Sequence, residues 1–174
     1  NDDQTELTNV ELMVGAAMLK NMVSANDGQY LFGDLKANSY RVKPSRNDDP
    51  LNGVSTKDIV KIQRHILGIE TLSSPYKLIA ADVNTSATIT AADVSEIRKL
   101  VLGVSAQFNK VQSWTFVPKN YVFANPSSPW NAPREANITI TKDEKLLEHF
   151  VAVKMGDVTT DARGHQVAGS TSRT

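Results

Sequence analysis

The chain has 174 residues, with 19 Lys plus Arg against 19 Asp plus Glu and a formal net charge of zero. It therefore lacks the basic excess of a nucleic-acid binder or of a polybasic membrane-surface protein. Hydrophobic residues make up 40%, enough for a core, the apolar runs are too short to span a bilayer, and the absence of cysteine excludes disulfides, thiolate metal sites and cysteine nucleophiles.

Residues 7–44 read as strands. Val10, Leu12 and Val14 alternate with polar or small neighbours, Asn26-Asp27-Gly28 is a turn signal, Tyr30 and Phe32 alternate again, and Tyr40 and Val42 form a last strand closed by Pro44. Residues 47–104 change to helical spacing. From 106 to 157 short extended segments return at Trp114/Phe116, Tyr121/Phe123, Ile138/Ile140 and Phe150–Met155, separated by Pro118, Pro126, Pro129 and Pro133. Residues 159–174 are polar and read as a linker. Asn1 is followed by no charged-then-apolar leader, so both ends read as cut from a longer chain.

The helical stretch is an internal repeat. VSTKDIVKIQRHILG, 54–68, lies over ITAADVSEIRKLVLG, 89–103. Ile59 and Ile62 match Val94 and Ile97 on one face, and Gly68 and Gly103 stand where a left-handed residue ends a helix. Helices are predicted over about 55–67 and 90–102, in contact with each other.

The stretch before the second helix has calcium-loop spacing. Counting Asp82 as position 1, oxygen-bearing side chains fall at Asp82, Asn84, Ser86, Thr90 and Asp93, and Thr88 at position 7 offers a backbone carbonyl. Calcium takes six to eight hard oxygens, and alternate residues of a tight loop can converge on it. The first repeat aligns as Asn47, Asp49, Leu51, Gly53, Ser55 and Asp58, in which Leu51 has no side-chain oxygen. The glycine usual at position 6 is replaced by Ala87 and Asn52. With few carboxylates in each loop, affinity is expected to be weak, and Asp93 is expected to matter more than Asp58. A second reading needs no metal: Ser55 and Thr90 are helix N-caps with an acidic residue three positions on. Asp157 and Asp161 resemble the start of another such loop, but no helix follows them.

ADVNTSATITAADVSEIRKLVLG resembles a dockerin repeat, and NDDPLNGVSTKDIVKIQRHILG is similar to the divergent first repeat in large surface proteins of the Bacteroidota. SPYKLIAADVN, SWTFVPKNYVFANPSSPW and FVAVKMGDV are similar to pieces that recur with those repeats, while NDGQYLFGDLKANSYRVKPS is similar to the last strands of carboxypeptidase-regulatory-like or collagen-adhesin B-type β-sandwiches. The resemblance implies an α+β fold: a partial β-sandwich (1–46), then a dockerin-like pair of calcium-loop helices with a C-terminal strand and loop wrap (47–158), then the linker. It implies calcium at Asp82, Asn84, Ser86, Thr88, Thr90 and Asp93 in the second loop, and at Asn47, Asp49, Gly53, Ser55 and Asp58 in the first.

The function it implies is that of a non-catalytic, calcium-stabilised structural or assembly module, extracellular or at the cell surface, in an adhesin-like or fibre-like bacterial protein. Its partners would be neighbouring domains of the same or another surface protein, without nucleic acid or membrane insertion. Dockerins dock onto cohesins through loop positions 10 and 11; here these are Thr56-Lys57 and Ala91-Ala92, which match no recognition pair, so a cohesin-like partner is an alternative. The other alternative is a carbohydrate-binding accessory module of a secreted enzyme, with Trp114, Tyr121 and Trp130 as a sugar face. His65, His149 and His165 lie far apart without metal spacing, and no GxSxG, P-loop, HExxH or GxGxxG occurs. No enzyme is expected.

Overall fold

The computed structural model describes residues 8–25, 28–142 and 144–164. It is a mixed α+β fold with three helices and several antiparallel sheets. Asn26, Asp27 and His165, and the expected linker from 165 on, lie outside the described residues.

The alternating N-terminal residues form β1 (Asn9–Val14), whose Val10 and Leu12 are fully buried. A two-residue turn with Gly15 at φ +59° returns the chain as β2 (Ala17–Val23). β2 was not foreseen. It is an edge strand exposed on both faces, with Met18, Leu19 and Val23 in solvent, so no alternation marks it. Next come β3 (Phe32–Leu35) and β4 (Asn38–Ser45). Pro44 does not end β4: it lies opposite Val10, beyond Val42↔Ala136, the last pair on the other side of β4. There a missing N–H forfeits no ladder bond.

Both repeat helices form where expected, α1 (Thr56–Ile66) and α3 (Ala91–Val101), and they pack together. They match down to their ends. Ser55 and Asp58 make a capping box, as do Thr90 and Asp93. At the C-termini, Ile69 and Val104 N–H donate to the Arg64 and Lys99 carbonyls, while Gly68 and Gly103 adopt φ +68° and +71°. Between them lies α2 (Pro75–Ala81), started by Pro75 at its first position and burying Leu78, Ile79, Ala80 and Ala81. Two turns are too short for periodicity to announce a helix.

The rest of the chain supplies β5 (Trp114–Pro118), β6 (Ala136–Ile140), β7 (Glu144–Leu146) and β8 (Phe150–Lys154). The main sheet runs β2-β1-β4-β6, with β3-β7 and β5-β8 as two-stranded ladders. The strands of the first 46 residues are thus completed by C-terminal partners. Tyr121 and Phe123 form no strand; they pack edge-on at 5.0 Å, and Phe123 meets Tyr76 at 5.3 Å.

Two apolar cores share the β5–β8 ladder as a wall. Trp114, Phe116 and Phe150 face the core of Val10, Leu12, Phe32, Tyr40 and Val42, whereas Val117 and Val153 face the helical core of Ile59, Ile62, Val94, Ile97 and Leu100. Successive residues of one strand point to opposite sides. The two halves are therefore coupled through the ladder that carries the chain toward residues 157–164.

Candidate metal centre

Asp82 follows α2 and is 8% exposed. Its Oδ1 accepts from Ser86 N–H at 2.9 Å and its Oδ2 from Ala87 N–H at 2.9 Å. Asn84 Oδ1 also accepts from Ser86 N–H, at 3.0 Å. Thr85 and Ala87 both have positive φ, +58° and +59°. Ala87 thus adopts the backbone for which glycine is usual at position 6. Across the loop, Asp93 is fully buried; its Oδ1 accepts from Asn84 N–H at 3.3 Å and its Oδ2 from Thr90 N–H at 2.9 Å. Ser86 Oγ donates to the Thr88 carbonyl at 3.0 Å. Burial raises the pKa of Asp93, and the Asp82 charge adds to the rise, against backbone hydrogen bonds that lower it. Two buried carboxylates are thus held near each other beneath an exposed turn.

The first repeat is arranged differently. Asn47 Oδ1 accepts from Ser113 N–H at 2.9 Å, and Asp49 stands at φ +41°. Of the five first-loop candidates, the structure brings Ser55 and Asp58 to a carboxylate cluster, and the remaining members come from the other end of the chain. Asp58 is fully buried. Its Oδ1 accepts from Val158 N–H at 2.9 Å, Thr159 N–H at 3.0 Å and Thr159 Oγ1 at 2.9 Å, and its Oδ2 accepts from Ser55 N–H at 2.8 Å. Asp157, 5% exposed, accepts on Oδ1 from Thr160 N–H at 2.6 Å and Asp161 N–H at 3.3 Å, and on Oδ2 from Ala162 N–H at 2.8 Å.

These are the bonds of the contiguous loop over again. In each, the first Asp receives the amides four and five residues later, and the amide two residues later reaches the capping-box Asp of a repeat helix. Thr160, at φ +64°, takes the place of Thr85. The sequence carries the same signal: Asp82-Val83-Asn84-Thr85-Ser86-Ala87 and Asp157-Val158-Thr159-Thr160-Asp161-Ala162 share Asp-Val-x-Thr-x-Ala. The missing helix after Asp157 is α1, which precedes it in the chain. A reading that seeks loops only upstream of helices pairs Asp58 with Asn47 and leaves Asp157 and Asp161 without a helix.

The C-terminal arm is fixed closely. A Cβ on Gly53 (φ +73°) would fall 2.3 Å from Ala162 N. Asn52 exchanges two hydrogen bonds with the Arg163 backbone, at 2.7 and 3.1 Å, and Arg46 donates to the Gly164 carbonyl at 2.8 Å. Residues 159–164, expected to begin a linker, are tied down along their length. Gly156 (φ +86°) is equally constrained, since a Cβ there would come within 2.9 Å of the Phe108 ring.

Charge is unbalanced at this second cluster. Thr159 Oγ1 lies 2.9, 3.1 and 3.1 Å from carboxylate oxygens of Asp58, Asp157 and Asp161. One hydroxyl proton serves only one of these acceptors at a time. Burial raises the Asp157 pKa, with Asp58 adding to it. The buried Lys154 ammonium, on the Pro50 carbonyl at 2.7 Å, is pushed down to about 8 by burial, against the pull of Asp157, Asp49, Asp48 and Asp58.

Among the described residues, no three His, Asp or Glu side chains form a metal cage by themselves. A cation here would need hydroxyl, amide and carbonyl oxygens as well, and both clusters offer those hard donors, which suit calcium rather than zinc. Of the aromatic residues of the expected sugar face, Trp114 is buried, Tyr121 packs edge-on with Phe123, and Trp130 is half-buried in a 3₁₀ turn at Pro129–Asn131. No helix among the described residues is long and apolar enough to cross a membrane. No family model, curated protein or solved structure matches the chain.

Proposed function

We propose that this chain is a calcium-stabilised, non-catalytic structural or assembly module, of dockerin-like character, in a secreted or cell-surface bacterial protein. The observation that carries this reading is the recurrence of one turn: Asp-Val-x-Thr-x-Ala twice, each time set on the capping-box Asp of a repeat helix. Side chains of Asp82, Asn84, Ser86, Thr90 and Asp93, with the Thr88 carbonyl, would hold one ion. Asp157, Thr159 and Asp161, with Ser55 and Asp58, would hold the other. The ion supplies positive charge and inner-sphere bonds to carboxylates otherwise crowded in low dielectric.

The second site is split, which gives the module its mechanical character. Its ligands come from residues 55–58 and 157–161, so an ion there joins the first helix to the end of the described chain. Partner domains attached beyond such a clasp would pull against the helical core rather than against a loose strand. The carboxylates are committed to backbone amides, an arrangement suited to holding structure, and this supports a role without catalysis.

A ligand that binds only the native state stabilises it by RT ln(1 + [L]/Kd), about 2.7 kcal/mol when calcium is a hundredfold above Kd. Affinity should lie at roughly 10⁻⁴–10⁻³ M, the range of extracellular modules. The test is a thermal melt of the full chain in millimolar calcium and in chelator. A higher Tm with calcium supports the proposal; superimposable melts, with no calorimetric heat of calcium binding, would leave two helix caps without a metal.

A further inference from the structure

Two adjoining cavities of about 430 and 400 Å³ share Gln112, Trp114, Thr115 and Arg134, and together form a cleft where the helical part meets the main sheet. We propose that this cleft binds a neutral oligosaccharide, a role beyond the calcium reading that shares one residue with it, Asp82, in the lining of one lobe. Trp130, half-buried on the 3₁₀ turn, lines one lobe while also packing against the helical core; an indole is the surface that stacks against the C–H face of a sugar ring. Around it the lining mixes donors and acceptors without net charge. Arg134 and Lys43 stand against Asp82 and Glu11, with the Gln112 amide between the lobes.

A sugar hydroxyl both donates and accepts, so it needs such a mixture, whereas an anion site would be lined by donors alone. Three of these groups are also unspent, whereas the Asp82 carboxylate already accepts two backbone amides and Glu11 accepts from Asn9. Arg134, Lys43 and Gln112, all solvent-exposed, make no hydrogen bond or ion pair with another described residue. Trp114, common to both lobes, is 6% exposed, and its Nε1–H, buried without a hydrogen-bond partner among the described residues, is out of reach of a molecule in the cleft. Two adjoining lobes suit a chain of sugar units over a single ring.

Isothermal calorimetry of the full chain in millimolar calcium, against cellotetraose, mannotetraose and xylotetraose, with a hyaluronan tetrasaccharide as the acidic comparison, tests this. Saturable binding of at least one neutral tetrasaccharide is expected. Arg134→Ala and Lys43→Ala, both at exposed positions, should each weaken it about tenfold, the loss expected of a charge-assisted hydrogen bond. The melting curve and calcium-binding heat of Lys43→Ala should not change, which separates this site from the metal sites; Arg134 feels the charge of the Asp82 carboxylate and is not used for that control. Trp130→Ala should abolish binding. The proposal is overturned if no neutral tetrasaccharide binds, if only the acidic one does, or if Arg134→Ala binds as tightly as the parent chain.

Discussion

The contiguous loop at 82–93 and the split site at 55–58 with 157–161 use the same turn and equivalent capping-box aspartates, Asp93 and Asp58, and differ most in how the chain connects them. In the first, the amide and carboxylate that bridge the site are 9 residues apart; in the second they are 101 apart. On loop-closure entropy alone, joining the longer segment costs about 2 kcal/mol more. The β4–β6 pairing and the shared β5–β8 wall share that cost, since they bring the same parts of the chain together. A metal loop can therefore be cut and rejoined through space, provided the rest of the fold delivers its halves. The contiguous site should depend on its own residues; the split one should report on the whole fold.

The largest effect that would sharpen this contrast is at Asp58. Its carboxylate serves three backbone amides and two hydroxyls, with Ser55 and Thr159 each contributing an amide and a hydroxyl and Val158 the third amide. Asp58→Ala should cost roughly 3–5 kcal/mol in chemical denaturation, through lost capping and orphaned buried donors. Asp93→Ala, which strands only the Asn84 and Thr90 groups, should cost about 2–3 kcal/mol. Sequence spacing ranks the two the other way. Equal losses would mean that the C-terminal arm contributes little.

Gly53→Ala should come next. The added methyl meets the Ala162 backbone at a positive φ, so either the arm lifts or the loop strains, at about 2–4 kcal/mol. Calcium should then bind the split site at least tenfold more weakly, with the contiguous site unchanged. Gly15→Ala is the control: φ is +59° but nothing lies within 4 Å, so only the conformational term of about 1 kcal/mol remains.

A smaller effect, but one of distinctive sign, lies in pH. Asp93 and Asp157 have folded pKa values raised above the unfolded one. Between those values the native state holds more protons, so in chelator stability should rise as pH falls through the carboxylate range. In millimolar calcium the same acidification protonates the ligands and should lower stability. Melts at several pH values, with and without calcium, should therefore cross; parallel curves would count against metal binding. The smallest change is Ala87→Gly, which relieves the positive φ at +59° and should stabilise the contiguous loop by up to about 1 kcal/mol without touching the split site.

Much of the helical half was legible in the sequence because its signals are local: the 35-residue offset, Ser55 and Thr90 with their acidic partners, and the terminal glycines at 68 and 103. β2 and α2 were not legible, one because both its faces are wet and the other because it is only two turns long. The split site was half legible. Asp157-Val158 and Thr160 repeat Asp82-Val83 and Thr85, but the helix that completes them lies about 100 residues upstream. Periodicity cannot carry that distance; only the strands that bring 157 back to 58 do.

Asp157→Asn bears most directly on the split site, because it removes a charge while keeping the shape and one acceptor of a side chain that seals the arm. Calcium titration calorimetry of the full chain should fit two sites in the parent. In the variant it should fit one, with the remaining site, bounded by Asp82 and Asp93, at unchanged affinity. Identical titrations for the two proteins would contradict a second site assembled from both ends of the chain.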